Sequence, residues 1–156
     1  MQSKLAFMGG LVAAAVLAVA CSTTTSSGAT SPSAPGSMTT IGVADNAKLG
    51  KILVDGGGKT VYLFEADKGT ASTCYGDCAT YWPPVLTTGA PEAGTGVSIS
   101  LLGTTRRTDG TMQVTYGGHP LYYVITDHNP GDTTGQGVNN FGAAWDAVGP
   151  DGMQIG

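Results

Sequence analysis

Two cysteines, Cys74 and Cys78, offer the most reactive side chains in the folded part of the chain. Such a pair can form a disulfide, act as a redox couple or supply two thiolates to a metal. Three residues separate these cysteines, whereas thioredoxin-like redox motifs have two between them. A tight loop would bring the two Cα atoms within disulfide range. Because the N-terminus is predicted to be an export signal, and disulfides persist outside the cytoplasm, a structural disulfide is predicted, with redox chemistry as the alternative.

Metal binding by the same cysteines would need two further ligands, because structural zinc is four-coordinate. The histidines of the chain, His119 and His128, stand nine residues apart. No recognised zinc spacing joins them to the cysteines. The loop after the second histidine offers oxygen ligands, but their spacing is not that of an EF-hand. The sequence therefore predicts no cofactor and no metal, and a site that pairs the cysteines with His119 or His128 is kept as an alternative.

A second chemical feature is a motif of aromatic residues and an aspartate. The segment Tyr62–Asp67 reads Tyr-x-Phe-x-x-Asp, and a variant of it recurs at Tyr122–Asp127. Residues two apart on a strand share a face, so Tyr62 and Phe64 are expected to point the same way, with Asp67 just past the strand. The structural interpretation is that the aromatics fill the core and that the aspartate caps the following turn.

The functional interpretation of the same motif is a ligand groove between two copies, whose aromatic side chains would stack on a sugar or a cell-wall polymer. Its candidate lining residues are Tyr62, Phe64, Asp67, Trp82, Tyr122, Asp127 and Trp145. The sequence shows no nucleophile elbow, no His-Glu-x-x-His motif and no phosphate-binding glycine loop. It therefore predicts a binding protein rather than an enzyme.

These residues belong to an internal duplication. Residues 54–67 match residues 114–127 at a constant offset of 60, with Val, two Gly, an aliphatic residue, Tyr and Asp in common. A second block, residues 78–85, matches residues 141–148 at an offset of 63. Two matching blocks in the same order predict two repeats, at about residues 49–86 and 111–148.

The elements that position these residues are predicted to be short strands. In each copy, runs rich in Val, Ile, Tyr, Phe and Thr surround glycine turns, which is a hairpin pattern. Asp109-Gly110 is a favoured type I′ pair, and residues 97–102 are the one candidate helix. The predicted fold class is mainly β, with antiparallel hairpins in two pseudo-symmetric repeats that form a small sandwich or barrel. A single domain is predicted over residues 40–156.

The N-terminus is predicted to be an export signal. Lys4 precedes sixteen residues without charge, Leu5–Ala20, and small residues then lead to Cys21. This pattern is similar to a bacterial lipobox, in which the signal (residues 1–20) is removed and the cysteine is lipidated. An ordinary secretory signal with a chance cysteine is the alternative. Residues 21–39 then form a tether whose Ser, Thr, Gly, Ala and Pro composition is typical of a flexible linker.

Composition restricts the partners. Only 12% of residues are charged and the sequence pI is about 4.8, so the chain lacks the basic surface of a nucleic-acid binder. Removal of Lys4 leaves six basic and eleven acidic residues, a net charge of −5, which disfavours direct binding to anionic lipid. The predicted membrane contact is therefore the N-terminal lipid. It would hold the domain at the extracytoplasmic face of the cell membrane, where cell-wall polymer and envelope proteins are the candidate partners.

The chain resembles the bacterial secreted-repeat lipoproteins of unknown function, which are described by a Tyr-x-(Phe/Trp/Tyr)-x-x-Asp motif. The resemblance covers nearly all of residues 41–156, and Val124 departs from it where an aromatic is expected. The residues that carry it are 49–55, 62–69, 72–79, 82–84, 118–123, 130–133 and 135–142. The family has no established activity, so the resemblance implies an extracytoplasmic location and a repeat but no reaction.

Overall fold

The computed structural model describes residues 38–156, so the predictions for the signal peptide, Cys21 and most of the tether lie outside the described residues. Short strands make up almost all of the regular structure. They are β1 (Thr40–Asn46), β2 (Gly50–Asp55), β3 (Tyr62–Phe64), β4 (Leu86–Thr87), β5 (Glu92–Ala93), β6 (Leu102–Arg106), β7 (Met112–Tyr116), β8 (His119–Pro120), β9 (Val138–Asn140) and β10 (Ala143–Ala147). One short helix, α1 (Asp77–Tyr81), lies between β3 and β4.

The strands form three small sheets. Their orders are β2-β1-β5, β3-β10-β9 and β4-β7-β6, and β8 pairs with the far end of β7. All pairings are antiparallel except β1 with β5. The prediction of a mainly β fold built from antiparallel hairpins is confirmed. No closed barrel forms among residues 38–156, because the strands are divided among three short sheets, none of which closes on itself.

Two local predictions were wrong. Residues 97–102 are not helical: they form a turn closed by the backbone bond from Leu101 N to Ser98 O (3.0 Å), and β6 begins at Leu102. The β6–β7 hairpin is present, but its loop is longer than a two-residue type I′ turn. Arg107 N bonds to Thr111 O (2.9 Å), and Gly110 alone in that loop has positive φ, 88°. This is the three-residue loop with a left-handed glycine.

The core consists of two groups of buried side chains. An aliphatic group contains Ile41, Leu53, Val61, Leu63, Val85, Val114, Tyr116, Leu121 and Val148. An aromatic group, with the two cysteines at its margin, contains Ile52, Val54, Tyr62, Phe64, Cys74, Cys78, Trp82, Tyr122, Val124, Trp145 and Ala147. Alternation along β3 explains the division, because Leu63 faces the first group while its neighbours Tyr62 and Phe64 face the second.

The two repeats exchange strands. Strand β3 of the first repeat pairs with β10 of the second, which places Phe64 opposite Trp145. Reciprocally, Tyr122 of the second repeat pairs with Pro84, two residues after Trp82 of the first. The tyrosine segment of each repeat therefore lies against the tryptophan segment of the other. Neither repeat completes its own core, because each lacks the pairing partner that the other supplies.

The structure also corrects the register of the duplication. Leu53 N donates to Val148 O (2.8 Å), and Val114 N makes the equivalent bond to Val85 O (2.8 Å). Leu53, rather than Val54 as the constant offset of 60 predicts, is thus the counterpart of Val114. The physical reason is an additional glycine in the first hairpin turn, which has three glycines where the second has two.

Candidate functional site

The repeated tyrosines and aspartates bond across the repeat boundary. The Tyr62 hydroxyl donates to Asp127 Oδ2 at 2.6 Å, and the Tyr122 hydroxyl donates to Asp67 Oδ2 at the same distance. The two tyrosines also pair through their backbones, with N–O distances of 2.8 and 2.9 Å. The two Tyr–Asp hydrogen bonds, called here the crossed Tyr–Asp pairs, join each repeat to the other in a reciprocal way.

Each aspartate also organises the loop that follows it. Asp67 Oδ1 accepts from the backbone N (2.7 Å) and the hydroxyl (2.6 Å) of Thr73. Asp127 Oδ1 accepts from the same two groups of Thr134, at 2.9 and 2.6 Å. Each carboxylate is thus buried with three donors, which a buried charge requires. The aspartates therefore act as loop caps and as acceptors for the other repeat at the same time.

Burial and the neighbouring carboxylates fix the protonation of the tyrosines. Burial raises the pKa of Tyr62, and the hydrogen bond to Asp127 raises it further. Burial likewise raises the pKa of Tyr122, with Asp67 as the next cause. Both directions disfavour a phenolate beside a carboxylate, because two negative charges would share one desolvated site. The phenols consequently act as donors and are poorly suited to act as bases or nucleophiles near neutral pH.

Aromatic rings stack around the crossed Tyr–Asp pairs. The rings of Trp82 and Trp145 lie parallel, with centroids 4.0 Å apart and planes 3° apart, and Phe64 stacks on Trp145, also at 4.0 Å. Tyr62 meets Trp82 edge-on at 5.5 Å, and Tyr122 meets Trp145 edge-on at 5.1 Å. Stacked and edge-to-face contacts of this kind stabilise a core beyond the burial of their area.

The structure brings together all seven residues of the proposed ligand groove, but it places them inside the core. Each is at most 3% exposed. The faces of Trp82 and Trp145 contact other rings, so in this conformation they offer no surface on which a sugar could stack. The seven residues are Tyr62, Phe64, Asp67, Trp82, Tyr122, Asp127 and Trp145.

Cys74 and Cys78 form a disulfide with their Cα atoms 5.2 Å apart. Cys74 is fully buried and Cys78 is 8% exposed. Arg107 binds this loop through its guanidinium, which donates to the carbonyl oxygen of Cys74 (2.7 Å) and to the hydroxyl of Ser72 (2.9 Å). The disulfide therefore closes a loop that is packed against the core.

Arg107 is a site residue that sequence reasoning missed. It is 3% exposed, its guanidinium lies 4.3 Å from the centre of the Tyr75 ring, and it donates to Gln113 Oε1 at 2.6 Å. Its ion pair with Asp109 is longer, at 3.4 Å. The available signal was the pair Arg106-Arg107 at the end of a strand, because adjacent strand residues point to opposite faces and one of the two must point inward.

The histidines are not joined to the cysteines. His119 lies on β8, and its buried Nδ1 has no hydrogen-bond partner among the described residues. His128 is exposed, and its backbone N donates to Asp132. Within residues 38–156, no group of three or more His, Cys, Asp or Glu side chains is arranged to hold a metal ion. No helix in this range is long and apolar enough to cross a membrane.

Three clefts open at the surface of residues 38–156. The first, about 540 Å³, lies beside the start of the described chain and is lined by Thr39, Leu86, Thr87, Thr88, Gly110, Thr111 and Met112. The second, about 350 Å³, is lined by Asn46, Ala47, Lys48, Gly131, Asp132, Thr133 and Thr134. A third cleft of about 340 Å³ is bordered by Glu65, Asp67, Lys68 and His119, among others. None of the three is lined by the stacked rings of Phe64, Trp82 and Trp145.

Comparison with known proteins gave one family match. The model of a family described as a secreted repeat of unknown function matches residues 43–86 and 103–149, which are two separate repeats. The first match ends within β4 and the second begins within β6, so the matched segments contain both halves of the crossed Tyr–Asp pairs. Searches among curated proteins and among solved structures found no match.

Proposed function

The chain belongs to a family of secreted repeats of unknown function, and from that premise we propose that it is a lipid-anchored, non-enzymatic binding module. The family places the chain outside the cytoplasm, in the envelope or the extracellular space. The finer proposal is that Cys21 carries the lipid and that the folded domain works at the outer face of the cytoplasmic membrane. Its partner would be a cell-wall polymer or an envelope protein.

One observation carries the proposal of a binding role. The tyrosines, aspartates and paired cysteines that the sequence singles out are used inside the fold: the tyrosines and aspartates bond to each other across the repeats, and the cysteines are oxidised and buried. Catalytic groups must instead reach substrate in a cleft. The motif therefore builds a scaffold, and the exposed loops and hairpin tips of that scaffold are the parts free to recognise a partner.

The proposed anchor rests on the sequence around Cys21. Small residues precede this cysteine, and the segment that follows has the composition of a flexible linker. The domain is acidic, so attraction to anionic lipid would not hold it at a membrane. Acyl chains would do so, because each buried methylene contributes about 0.8 kcal/mol and a lipidated N-terminus carries more than one chain.

The anchor is tested by expressing the full chain with Cys21→Ser and, as a matched control, Ser22→Ala. We expect the control to sediment with membranes and to take up radiolabelled palmitate. We expect Cys21→Ser to be found in the soluble fraction and to remain unlabelled. Membrane attachment that persists in Cys21→Ser would contradict the lipid anchor.

The binding role is tested by affinity capture from native membranes, with the full chain and with a variant whose tether lacks residues 25–34. A binding module that must reach its partner should recover the same partner less efficiently with the short tether. If changes to the anchor or to the domain surface alter neither the amount of partner recovered nor the phenotype of the cells, the proposal of a tethered binding module fails.

The competing proposal is a redox or metal-handling role for Cys74 and Cys78, with His119 or His128. The burial of both cysteines weighs against it, because reactive cysteines occupy partly exposed, electropositive positions. Thiol titration and metal analysis of the purified chain, with and without Cys78→Ser, separate the two roles. Two reactive thiols in air-oxidised protein, or a stoichiometric metal lost in Cys78→Ser, would favour the competing role.

A further inference from the structure

The hairpin between β9 and β10 has an unusual residue in its turn. Asn140 pairs with Ala143, so Phe141 and Gly142 form a two-residue turn, and their φ angles are 54° and 96°. Two positive φ angles are the signature of a type I′ turn, which favours Asn, Asp or Gly at both positions. Phe141 is the one non-glycine residue with positive φ among residues 38–156.

This turn holds an aromatic ring outward. Phe141 is 47% exposed, so its ring is not a core residue that packing would force into this position. A bulky side chain is disfavoured in the left-handed region because its Cβ crowds the backbone. Strain of this kind at an exposed position is a reason to look for function, since asparagine or glycine would form the same turn without it.

One aromatic residue adjoins the Phe141 ring, and an exposed aliphatic residue bonds to the backbone of that aromatic residue. Tyr81, the last residue of α1, has its ring centre 6.4 Å from that of Phe141, with an angle of 50° between the planes. Ile125 is 46% exposed, and its backbone N donates to Tyr81 O at 3.2 Å. Tyr81 is partly exposed; its ring packs against the aromatic core group, with its centre 5.9 Å from that of Trp82, as well as against Phe141. We call Tyr81, Ile125 and Phe141 the aromatic platform.

The chemistry of the aromatic platform is neutral. Its sequence neighbours on both sides are uncharged, and the nearby Asn139 side chain is exposed and offers an amide for hydrogen bonding. Exposed rings beside a few polar groups suit a ligand with an apolar face and a polar rim. A pyranose ring is such a ligand, because its C–H groups can lie on the electron-rich face of an aromatic ring while its hydroxyls meet amides.

Area argues against a protein as the occupant. The exposed parts of the aromatic platform present on the order of 200 Å² of apolar surface. A stable protein–protein interface buries about 800 Å² on each partner. A single sugar ring needs only one or two aromatic rings, and the acidic charge of the chain disfavours anionic polymers.

We propose that the aromatic platform binds neutral pyranose units of a cell-wall glycan by stacking on Phe141 and Tyr81. This proposal rests on the proposed binding function and names its ligand class and its surface. It moves the sugar-stacking role from Trp82 and Trp145, which are buried, to rings that solvent reaches.

The test uses the full chain and two probes, an oligosaccharide of N-acetylglucosamine in solution and purified peptidoglycan in a sedimentation assay. Phe141→Asn replaces the ring with a residue that suits the turn. We expect it to bind either probe at least tenfold more weakly than wild type. Phe141→Trp restores an aromatic face and should bind within threefold of wild type. Ile99→Asn is the matched control, because Ile99 is a 67% exposed apolar residue outside the platform, and it should bind as wild type does.

A thermal melt shows that the Asn variant still folds. Loss of the contact with Tyr81 and relief of the turn oppose each other, so the melting temperature should change by less than about 4 °C. A fall of more than about 8 °C would show that the ring stabilises the fold and would overturn the inference from strain.

Two other results would also overturn the proposal. One is wild-type protein that binds neither probe, and the other is Phe141→Asn protein that binds as tightly as wild type. If affinity capture from membranes then recovers a partner equally well with wild type and Phe141→Asn, the binding module stands and its glycan site is refuted. The two failures are therefore distinguishable.

Discussion

Removal of one phenolic hydroxyl from the crossed Tyr–Asp pairs should destabilise the fold strongly. Tyr62→Phe deletes the donor to Asp127 Oδ2 and leaves the ring in place. The carboxylate of Asp127 is 2% exposed, so water cannot replace the lost donor. The aspartate keeps its two bonds from Thr134 but loses one of its three donors.

The magnitude follows from the charge of the acceptor. A hydrogen bond to a charged group contributes about 1.5–3 kcal/mol, and an unsatisfied buried acceptor adds to the loss. Tyr122→Phe removes the equivalent donor to Asp67 and should give a similar loss of about 1.5–3 kcal/mol. Tyr116→Phe is the control. Its ring is equally buried, but its hydroxyl donates to the neutral carbonyl of Pro150, so about 0.5–1.5 kcal/mol is expected.

The assay is urea unfolding followed by tryptophan fluorescence, with the free energy of unfolding extrapolated to water. A double-mutant cycle of Tyr62→Phe with Asp127→Asn should give a coupling energy of at least about 1 kcal/mol, because the two groups act on each other directly. Losses below about 0.5 kcal/mol for both Tyr62→Phe and Tyr122→Phe would refute the account of the crossed pairs. So would a loss in Tyr116→Phe that equals theirs.

Three further predictions concern the same core. Folding raises the pKa of both tyrosines of the crossed pairs above 10.0, so their contribution to stability is complete below pH 10. Above pH 10 the free energy of unfolding should fall by up to about 1.4 kcal/mol per pH unit for each tyrosine. Urea unfolding at alkaline pH measures this fall, and a free energy of unfolding that stays constant to pH 12 would contradict the prediction. Arg107→Lys should lower the free energy of unfolding by about 3 kcal/mol, because lysine cannot make the forked bonds of a buried guanidinium, whereas the exposed Arg106→Lys should leave it within about 0.5 kcal/mol. Replacement of Cys74 and Cys78 by alanine should cost about 2 kcal/mol by the loop-closure estimate for so short a loop and leave the fold intact, as circular dichroism would show; complete unfolding would contradict a merely supporting disulfide.

Local signals in the sequence were sufficient for the fold class. Strand-forming runs around glycine turns predicted the hairpins, and the duplicated blocks predicted two repeats, which the family match confirms. The helix was misplaced because residues 97–102 have no local signal that distinguishes a helix from a turn. The helix that forms, Asp77–Tyr81, is five residues long and overlaps the disulfide loop at Cys78. A helix of little more than one turn is too short to show a helical hydrophobic period in the sequence.

The exchange of strands could not be predicted from one sequence. A repeat suggests two similar units side by side, and nothing in the residue pattern states that β3 pairs with the strand of the other copy. The same limit applies to the motif: Tyr62 and Asp67 stand five residues apart, yet each bonds to the other repeat. Sequence spacing therefore singled out residues that meet in the core and a turn-capping aspartate, but it named no partner for the tyrosine hydroxyls.

Gly135 shows why a close approach is invisible in sequence. A Cβ added there would lie 2.8 Å from the Trp82 ring and 2.9 Å from the Tyr62 ring, so only glycine fits against the aromatic group. The sequence marked this glycine as one of several in a loop. The tertiary contact that requires it is formed by residues more than fifty positions away.

Each repeat completes the core of the other, and fragment complementation is the decisive test of this exchange. Residues 38–96 and 97–156 are produced separately, since the break falls in an exposed turn, and their near-ultraviolet circular dichroism is compared with that of the intact chain. We predict that neither fragment alone shows the signal of the ordered tryptophans and that an equimolar mixture recovers it. A cooperatively folded single fragment with an ordered tryptophan would contradict the claim.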